Sequence, residues 1–477
     1  MIEECRQRLR QVGQEHLLQF ADELSPGQML KLLEQIKAID FDLLERLHAQ
    51  SRSKSVSIDP ASLSPMEAMS LPRTDADRQA KAQCAAVGLE ALLAGRVAAV
   101  LVAGGQGSRL GFEHPKGMFP IGPVTQASLF QFHAERILAR SRQSGKPVPW
   151  YIMTSPTNDQ ETRNFFASKN NFGLGGEQVR FFTQGTIPAI DAQTGKVLLA
   201  DRGEVFVSPN GHGGTLLALR EHGMLDDMAQ RGCDTIFYFQ VDNPFVDILD
   251  PTFIGFHLMR QADISIKVLR KAYPKEKLGL VIQDHGKPTM IEYSDLPDPI
   301  AHEVDEQGDL RYWTGSIAIH VFRRTFLERV TGQGVGLPYH IAHKKVPFID
   351  PQGQPIEPRE PNAIKFETFI FDSLPLADRV AVMETSRTEE YEPVKNADGD
   401  HSPDVVKQAI TRRAGRWLTE AGISYPTNPE GEPAVPLEIS PLAGLSPNEF
   451  RRRVTDMRPV DRPTAWTDKG RIAGKKV

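Results

Sequence analysis

The chain has 477 residues, a formal charge of −5 at pH 7, and 40% hydrophobic and 25% charged residues. This is ordinary globular composition with room for more than one domain, and the slight acidic excess speaks against a nucleic-acid partner, which would favour a basic patch or stripe. No stretch approaches the roughly 18 uninterrupted apolar residues of a membrane span. The charged start MIEECRQRLR lacks the apolar core of a signal peptide, and Cys5, Cys84 and Cys233 form neither a metal pattern nor a disulfide framework, so a protein of the reducing cytoplasm is expected.

Residues 1–50 carry apolar side chains at helical spacing through LLQFADEL and MLKLLEQIKAIDFDLLERL, with Ser25 placed to cap the second run. The Ser- and Pro-rich stretch 51–75 reads as a connector, and a helix follows at about 76–94. VAAVLVAGG is an unbroken apolar run ending in glycines, the form of a buried parallel strand. Strand-like and helix-like segments then alternate to about 380. The strands are PVPWYIMTS, VRFFTQ, DTIFYFQVD, ISIKVLRK, LGLVIQD, SIAIHVF and VAVMET. The helices are SLFQFHAERILARSRQ, NDQETRNFFAS, TLLALREHGMLDDMAQ and DPTFIGFHLMRQ. Such alternation predicts an α/β fold with a mostly parallel sheet. Beyond about 385 the chain is rich in Pro and charge, low in apolar periodicity, and ends in a basic stretch. Three regions are therefore expected: an N-terminal helical region with connector (1–94), a catalytic domain (95–384), and a small C-terminal region with a flexible basic tail (385–477).

The stretch LVAGGQGSRLGFEHPKG (101–117) carries the chemistry. Residues 103–108 lack bulk, so backbone N–H groups can approach a phosphate closely. Arg109 adds a rigid fork of donors and Lys116 a point charge. A dinucleotide fingerprint, G-x-G-x-x-G opening a helix, fails because Leu110 stands where its third glycine belongs. A P-loop fails because Lys116 precedes its glycine. A plain tight turn after a strand would be the default, but strand, double glycine, Arg and Pro-Lys together make a composite signal.

That composite resembles the nucleotidyltransferases that activate sugars. It is most similar to the eukaryote-type UDP-sugar pyrophosphorylases, in particular the UDP-N-acetylhexosamine pyrophosphorylases, whose L-A-G-G-Q-G-T-R-L-G…P-K-G-M appears as residues 102–111 and 115–118. The likeness continues through FFTQG (181–185), SPNGHGG (208–214), QVDNPF (240–245), IEYSDL (291–296), TGSIAIHVF (314–322), AIKFETFIFD (363–372) and EYEPVKNADG (390–399). It implies a Rossmann-like sheet of the glycosyltransferase-A-like nucleotidyltransferase type. It also implies a reaction in which UTP and a sugar 1-phosphate give a UDP-sugar and pyrophosphate, with Mg²⁺ as cofactor.

Residue by residue, the resemblance puts Arg109, Lys116 and the amides of Gly104, Gly105, Gln106 and Gly107 on the triphosphate. Gln184 with Gly213 and Gly214 falls on uracil, and Glu292 and Ser316 on the sugar. Lys365 and Lys395 lie near the phosphates and Asp242 on the metal, with Asp398 as a weaker helper. Asp242 follows a strand that should end at the ligand-gathering edge of an open α/β sheet. Two positions depart from the family. The usual G-N-G-G reads Gly211-His212-Gly213-Gly214, and the usual N-A-G-N-I reads Trp313-Thr314-Gly315-Ser316-Ile317. Losing an amide at each place bears on which sugar is accepted. N-acetylglucosamine 1-phosphate leads, while glucose 1-phosphate, galactose 1-phosphate or a broader range stay open. His212, if charged, would be a phosphate contact, but a neutral loop histidine is the leading reading. A catalytically silent nucleotide-sugar binding protein is the alternative from another class.

Overall fold

A computed structural model describes residues 2–52, 59–332 and 336–474. Among them the chain divides into two compact units, each built from three separated stretches: 2–52, 184–217 and 336–373 in one, and 59–183, 218–332 and 374–474 in the other.

In the first unit the N-terminal apolar periodicity becomes the helices Ile2–Gln11, Pro26–Ala38 and Phe41–Ser51. Ser25 caps the second as its spacing predicts. Its hydroxyl accepts from the Gln28 N–H, and the Gln28 side chain accepts from the Ser25 N–H, two orphan amides satisfied reciprocally. The buried stripe of these helices (Leu9, Leu32, Ile36, Leu44, Leu47) forms one core with Ile190, Val197, Ile364 and Phe366. Those partners lie on or beside short strands, including Ile190–Asp191 and Ala363–Thr368, which pair antiparallel.

The second unit is organised by a ten-stranded sheet. Its strands are β1 (Leu63–Pro65), β2 (Val97–Val102), β3 (Trp150–Thr154), β4 (Val179–Thr183), β5 (Thr235–Gln240), β6 (Ile264–Arg270), β7 (Leu280–Asp284), β8 (Lys287–Ile291), β9 (Thr314–Arg323) and β10 (Val380–Glu384). The path runs β1-β7-β9-β5-β2-β3-β4, with β6 paired to β9 and β10, and β8 to β7. β5, β2, β3 and β4 are parallel, each read from the sequence as a strand. β9 joins β5 antiparallel, in register Thr235↔Arg323. Helices Leu129–Ser144 and Pro251–Met259 supply Phe130, Phe132, Ile137, Phe253 and Ile254 to the core that this sheet shares.

Three stretches differ from the sequence reading. The run TLLALREHGMLDDMAQ is two helices, Gly214–Glu221 and Met224–Gln230, because Gly223 adopts φ 68° between them. The stretch 51–75 is more than a connector: residues 53–58 lie outside the described residues, but Leu63–Pro65 is an edge strand on β7, and the Met69 N–H donates to the Val382 carbonyl. Past residue 385, where apolar periodicity looked weak, Pro403–Ala421 is a 19-residue helix capped by Ser402. Its Ala414, Trp417, Leu418 and Ala421 pack against Leu437, Phe450 and Trp466 in a core of their own. The last three residues of the basic tail lie outside the described residues.

Two buried histidines in this unit resist protonation: burial pushes His133 down to about 4 and His257 to about 3. An unfolded chain takes up those protons near pH 6.5, so stability is complete above that value and is lost as pH falls below it. The melting temperature is accordingly expected to drop between pH 6.5 and 5, above the ordinary carboxylate range. A flat profile over that interval would contradict the burial of neutral imidazoles.

Candidate active site

The glycine-rich loop leaves the carboxyl end of β2 and is pinned at its root. The Ala103 N–H donates to the Met153 carbonyl (2.8 Å), and the Asn158 side-chain amide donates to the Ala103 carbonyl (3.0 Å). The loop then folds back on itself. The Lys116 N–H donates to the Gly105 carbonyl at 3.1 Å and the Gly107 N–H to the His114 carbonyl at 2.9 Å. Position 107 requires glycine, since a Cβ would stand 2.8 Å from both the ring and the carbonyl oxygen of Phe112. This corrects one expectation. The Gly107 N–H is committed inside the loop, and the residue contributes room rather than a phosphate donor. Gly104 is partly exposed, Gly105, Gln106 and Arg109 are exposed, and Lys116 opens the turn Lys116–Met118.

This turn brings Lys116 to the end of β5. Its Nζ lies 3.8 Å from Asp242 Oδ2, both side chains being 17% exposed. Asp242 stands two residues past the strand, and its main-chain carbonyl accepts from the Val394 N–H at 2.8 Å, which brings Lys395 alongside. Burial pulls the Lys116 ammonium below its usual range, Asp242 pulls it back, and Lys395 and Arg109 push it down again. For Lys395 burial acts in the same direction but is outweighed by Tyr391, Asp242 and Glu292, so it is held above the ordinary lysine range. Arg109, Lys116, Lys395, Asp242 and Glu292 thus share one electrostatic neighbourhood.

Glu292 and Ser316 border the same glycine. The Ser316 N–H donates to the Gly279 carbonyl at 2.8 Å, and a Cβ on Gly279 would lie 3.7 Å from Glu292 Oε1. Ser316 sits where β9 bulges against β6, with Ala318 at φ 57°, and its hydroxyl accepts from the Ala318 N–H at 3.3 Å. Bulges re-aim side chains and are common beside active sites. Asp398 is exposed in the loop after Lys395.

The remaining expected residues lie in the first unit. Gln184 is buried and its amide donates to the Gly211 carbonyl (2.6 Å). The Gly213 N–H donates to the Thr368 carbonyl (2.8 Å), and Gly214 opens the helix Gly214–Glu221. His212 stacks on Phe369 with ring centres 5.3 Å apart, and its Nδ1 accepts from the Ile370 N–H. Burial pushes it down to about 4, with Asp372 opposing and His340 adding to the shift. It is therefore a neutral ring at pH 7, and the charged phosphate contact considered from sequence falls away. The Lys365 ammonium sits 5.0 Å above the Phe206 ring and is lowered by burial, against the pull of Glu367.

Sequence reasoning passed over several residues. Asn158 anchors the loop root, and Tyr391 places its hydroxyl 3.5 Å from Lys395 Nζ. Asn243, next to Asp242, is 4% exposed, donates to the Glu390 carbonyl and accepts from the Phe245 and Glu392 N–H groups. An Asn or Tyr carries no local signal of such contacts. Among the described residues no group of three or more His, Cys, Asp or Glu could hold a metal ion, and no helix is long and apolar enough to cross a membrane.

Comparison with known proteins gives the family of the chain. The family described as UTP–glucose-1-phosphate uridylyltransferase matches residues 40–424. The chain is 36% identical over 473 residues to the mouse UDP-N-acetylhexosamine pyrophosphorylase-like protein 1, covering 93% of each. It is 34% identical over 463 residues to the UDP-N-acetylglucosamine pyrophosphorylase of Saccharomyces cerevisiae, covering 94% of each. Among solved structures, the uridine diphosphate N-acetylglucosamine pyrophosphorylase of Trypanosoma brucei superposes with a TM-score of 0.79 at 27% identity over 94% of each chain. The UDP-glucose pyrophosphorylases of Leishmania major share the fold at 15% identity and a TM-score of 0.58. With the family's pattern matching residues 40–424, and relatives aligned over nearly its whole length, the chain belongs to the UTP–glucose-1-phosphate uridylyltransferase family.

Proposed function

We propose that the protein is a cytoplasmic, Mg²⁺-dependent uridylyltransferase that makes a UDP-sugar and pyrophosphate from UTP and a sugar 1-phosphate, preferring N-acetylglucosamine 1-phosphate. The observation that carries the reading is the pair of cations Lys116 and Lys395 beside Asp242, with Arg109 close enough to act on Lys116, at the carboxyl ends of the parallel strands and beside a glycine-rich loop. The sugar assignment rests on relatives named for UDP-N-acetylglucosamine or UDP-N-acetylhexosamine across the length of the chain.

In the transfer, a phosphate oxygen of the sugar 1-phosphate bonds to the α-phosphorus of UTP. The bond from that phosphorus to the β-bridging oxygen breaks, and pyrophosphate leaves with the electron pair. The attacking oxygen is already ionised, so no base is needed. The protein's task is to align two anions and neutralise the charge that develops. Lys116 and Arg109, with the exposed Gly105 and Gln106 amides, suit the triphosphate, and Lys395 the sugar phosphate or the α-phosphate. Gln184, whose amide is already donating to the Gly211 carbonyl, keeps a carbonyl oxygen that can accept the uracil N–H, and the Gly213-Gly214 turn, packed against Thr368, Phe369 and Asn210, would lie beside the base. Glu292 and Ser316 suit the sugar, and Lys365 a phosphate. Asp242 fits a magnesium ion. It is a hard oxygen donor, partly exposed, and Mg²⁺ takes one or two carboxylates plus phosphate oxygens rather than an all-protein cage. When bound, the ion supplies neutralising charge to the triphosphate oxygens.

The test is pyrophosphate release from UTP, Mg²⁺ and a panel of sugar 1-phosphates. The highest kcat/KM is expected with N-acetylglucosamine 1-phosphate, and chelation with EDTA should abolish turnover. A higher kcat/KM with glucose or galactose 1-phosphate would overturn the sugar assignment. That reading has one observation in its favour: a neutral His212 and a hydroxyl-bearing Ser316 stand where the family carries amides. Silence with every sugar despite measurable UTP binding would replace the enzyme by a binding protein.

A further inference from the structure

We infer that Glu390 is a positioning residue for the transfer, holding the run 391–395 so that Lys395 stays beside Asp242; the inference rests on the uridylyl-transfer reading above. Glu390 ends the short helix Arg387–Glu390, and residues 391–396 that follow are neither helix nor strand. Such a run has no ladder of its own to fix it, yet it delivers Lys395. Its anchor is a carboxylate only 4% exposed. Both Glu390 oxygens take the Lys267 ammonium, at 2.6 and 2.7 Å. The Thr385 hydroxyl donates to it at 2.6 Å and the Asp247 N–H at 3.1 Å. Lys267, 1% exposed in the middle of β6, also meets Asp250 at 2.9 Å, and Asp250 caps the next helix by accepting from the Thr252 N–H.

An apolar cluster would fill this volume without the desolvation cost of burying one cation and two carboxylates. What it would lack is direction. The donors on Glu390 come from β6, from the loop after β5 and from the loop after β10, so the carboxylate satisfies all of them in one position only. The main chain completes the clasp. The Asn243 amide donates to the Glu390 carbonyl at 2.9 Å, its oxygen accepts from the Glu392 N–H at 3.2 Å, and the Val394 N–H donates to the Asp242 carbonyl at 2.8 Å. Glu390 is thereby tied to both sides of the Asp242–Lys395 pair without belonging to it.

Two variants test this. Glu390→Gln keeps the shape and removes one counter-charge of Lys267. The triple variant Lys267→Met, Asp250→Asn, Glu390→Leu removes all three charges while Asn preserves the helix cap, and apolar replacement of buried ion groups is often neutral for stability. In both, kcat for pyrophosphate release is expected to fall about 10²-fold, the scale of a small misplacement of reacting groups, with KM for UTP changed less than about 3-fold. In the triple variant the melting temperature stays near wild type. Hydrogen exchange at the Val394 and Lys395 amides, read without substrate, should speed up in both. Wild-type kcat and wild-type exchange in the folded triple variant would overturn the inference. Failure of both variants to fold would also overturn it, assigning Glu390 to stability alone. A wild-type protein with no transfer activity would sink the functional reading, while the exchange measurement would still decide whether Glu390 holds Lys395.

Discussion

Lys116→Ala is expected to reduce turnover about 10³-fold, the upper range for removing one preorganised donor from a charge-stabilising site. Thermal stability should change by no more than about 1 kcal/mol. The asymmetry follows from how the residue is held. Its backbone N–H closes the loop on Gly105 and survives the substitution, so the turn Lys116–Met118 has no reason to open. Its ammonium makes one ion pair, at 3.8 Å, with a carboxylate that also feels Lys395. Burial already works against the charged form of Lys116, so the fold gains little from it, whereas a triphosphate would gain a partly desolvated cation. The check is a pair of measurements on one preparation, kcat for pyrophosphate release and the melting curve. A parallel loss of both would mean that the lysine stabilises the loop and does no phosphate work.

Gly255→Val should cost at least about 3 kcal/mol and leave little folded protein. The helices Asp75–Ala94 and Pro251–Met259 meet backbone to backbone. A Cβ on Gly255 would fall well inside contact with the Cys84 carbonyl, and one on Gly88 would do the same with the Pro251 carbonyl. A flexible side chain could yield to the added carbons, but two helical backbones have to separate. Separation strips Phe253, Ile254 and Ala91 from the core they share. Gly255→Ala should fall between wild type and valine in urea unfolding. A valine variant within about 1 kcal/mol of wild type would show that the helices can shift without loss.

Much of this architecture is legible in local pattern. The apolar runs VAAVLV and TIFYFQ name adjacent parallel strands, and Ser25 followed by Gln28 names a helix start, because each signal depends on residues within one or two turns of chain. The helix Pro403–Ala421 was less legible. Its buried stripe, Val406, Ile410, Ala414 and Leu418, is interrupted by a buried Arg413 and Gly415, and Pro and charge surround it. Composition alone marks the glycine-rich loop as a candidate anion site. Its geometry then reassigned Gly107 from donor to spacer, since only the folded loop brings His114 and Phe112 against it. His212 shows the same limit. The sequence places an imidazole in the loop, but its neutrality comes from burial against Phe369 and the Ile370 N–H, 158 residues away.

The sequence by itself therefore determined the elements, the glycine-rich loop and the kinds of charge available, because helical and strand periodicities and the reach of a tight turn are short-range properties of the chain. The tertiary structure alone decided which buried faces cover one another and which charges become neighbours. It joined the N-terminal helices to the strand segments around Ile190 and Ile364. It also set Asn243 against Glu390 across 147 residues and Lys267 against the same carboxylate across 123. An apolar stripe states that it must be buried, and a carboxylate that it must be satisfied, but neither names its partner. Partners at such separations are chosen by the packing of the whole core, whose cost and gain no single stretch of sequence contains.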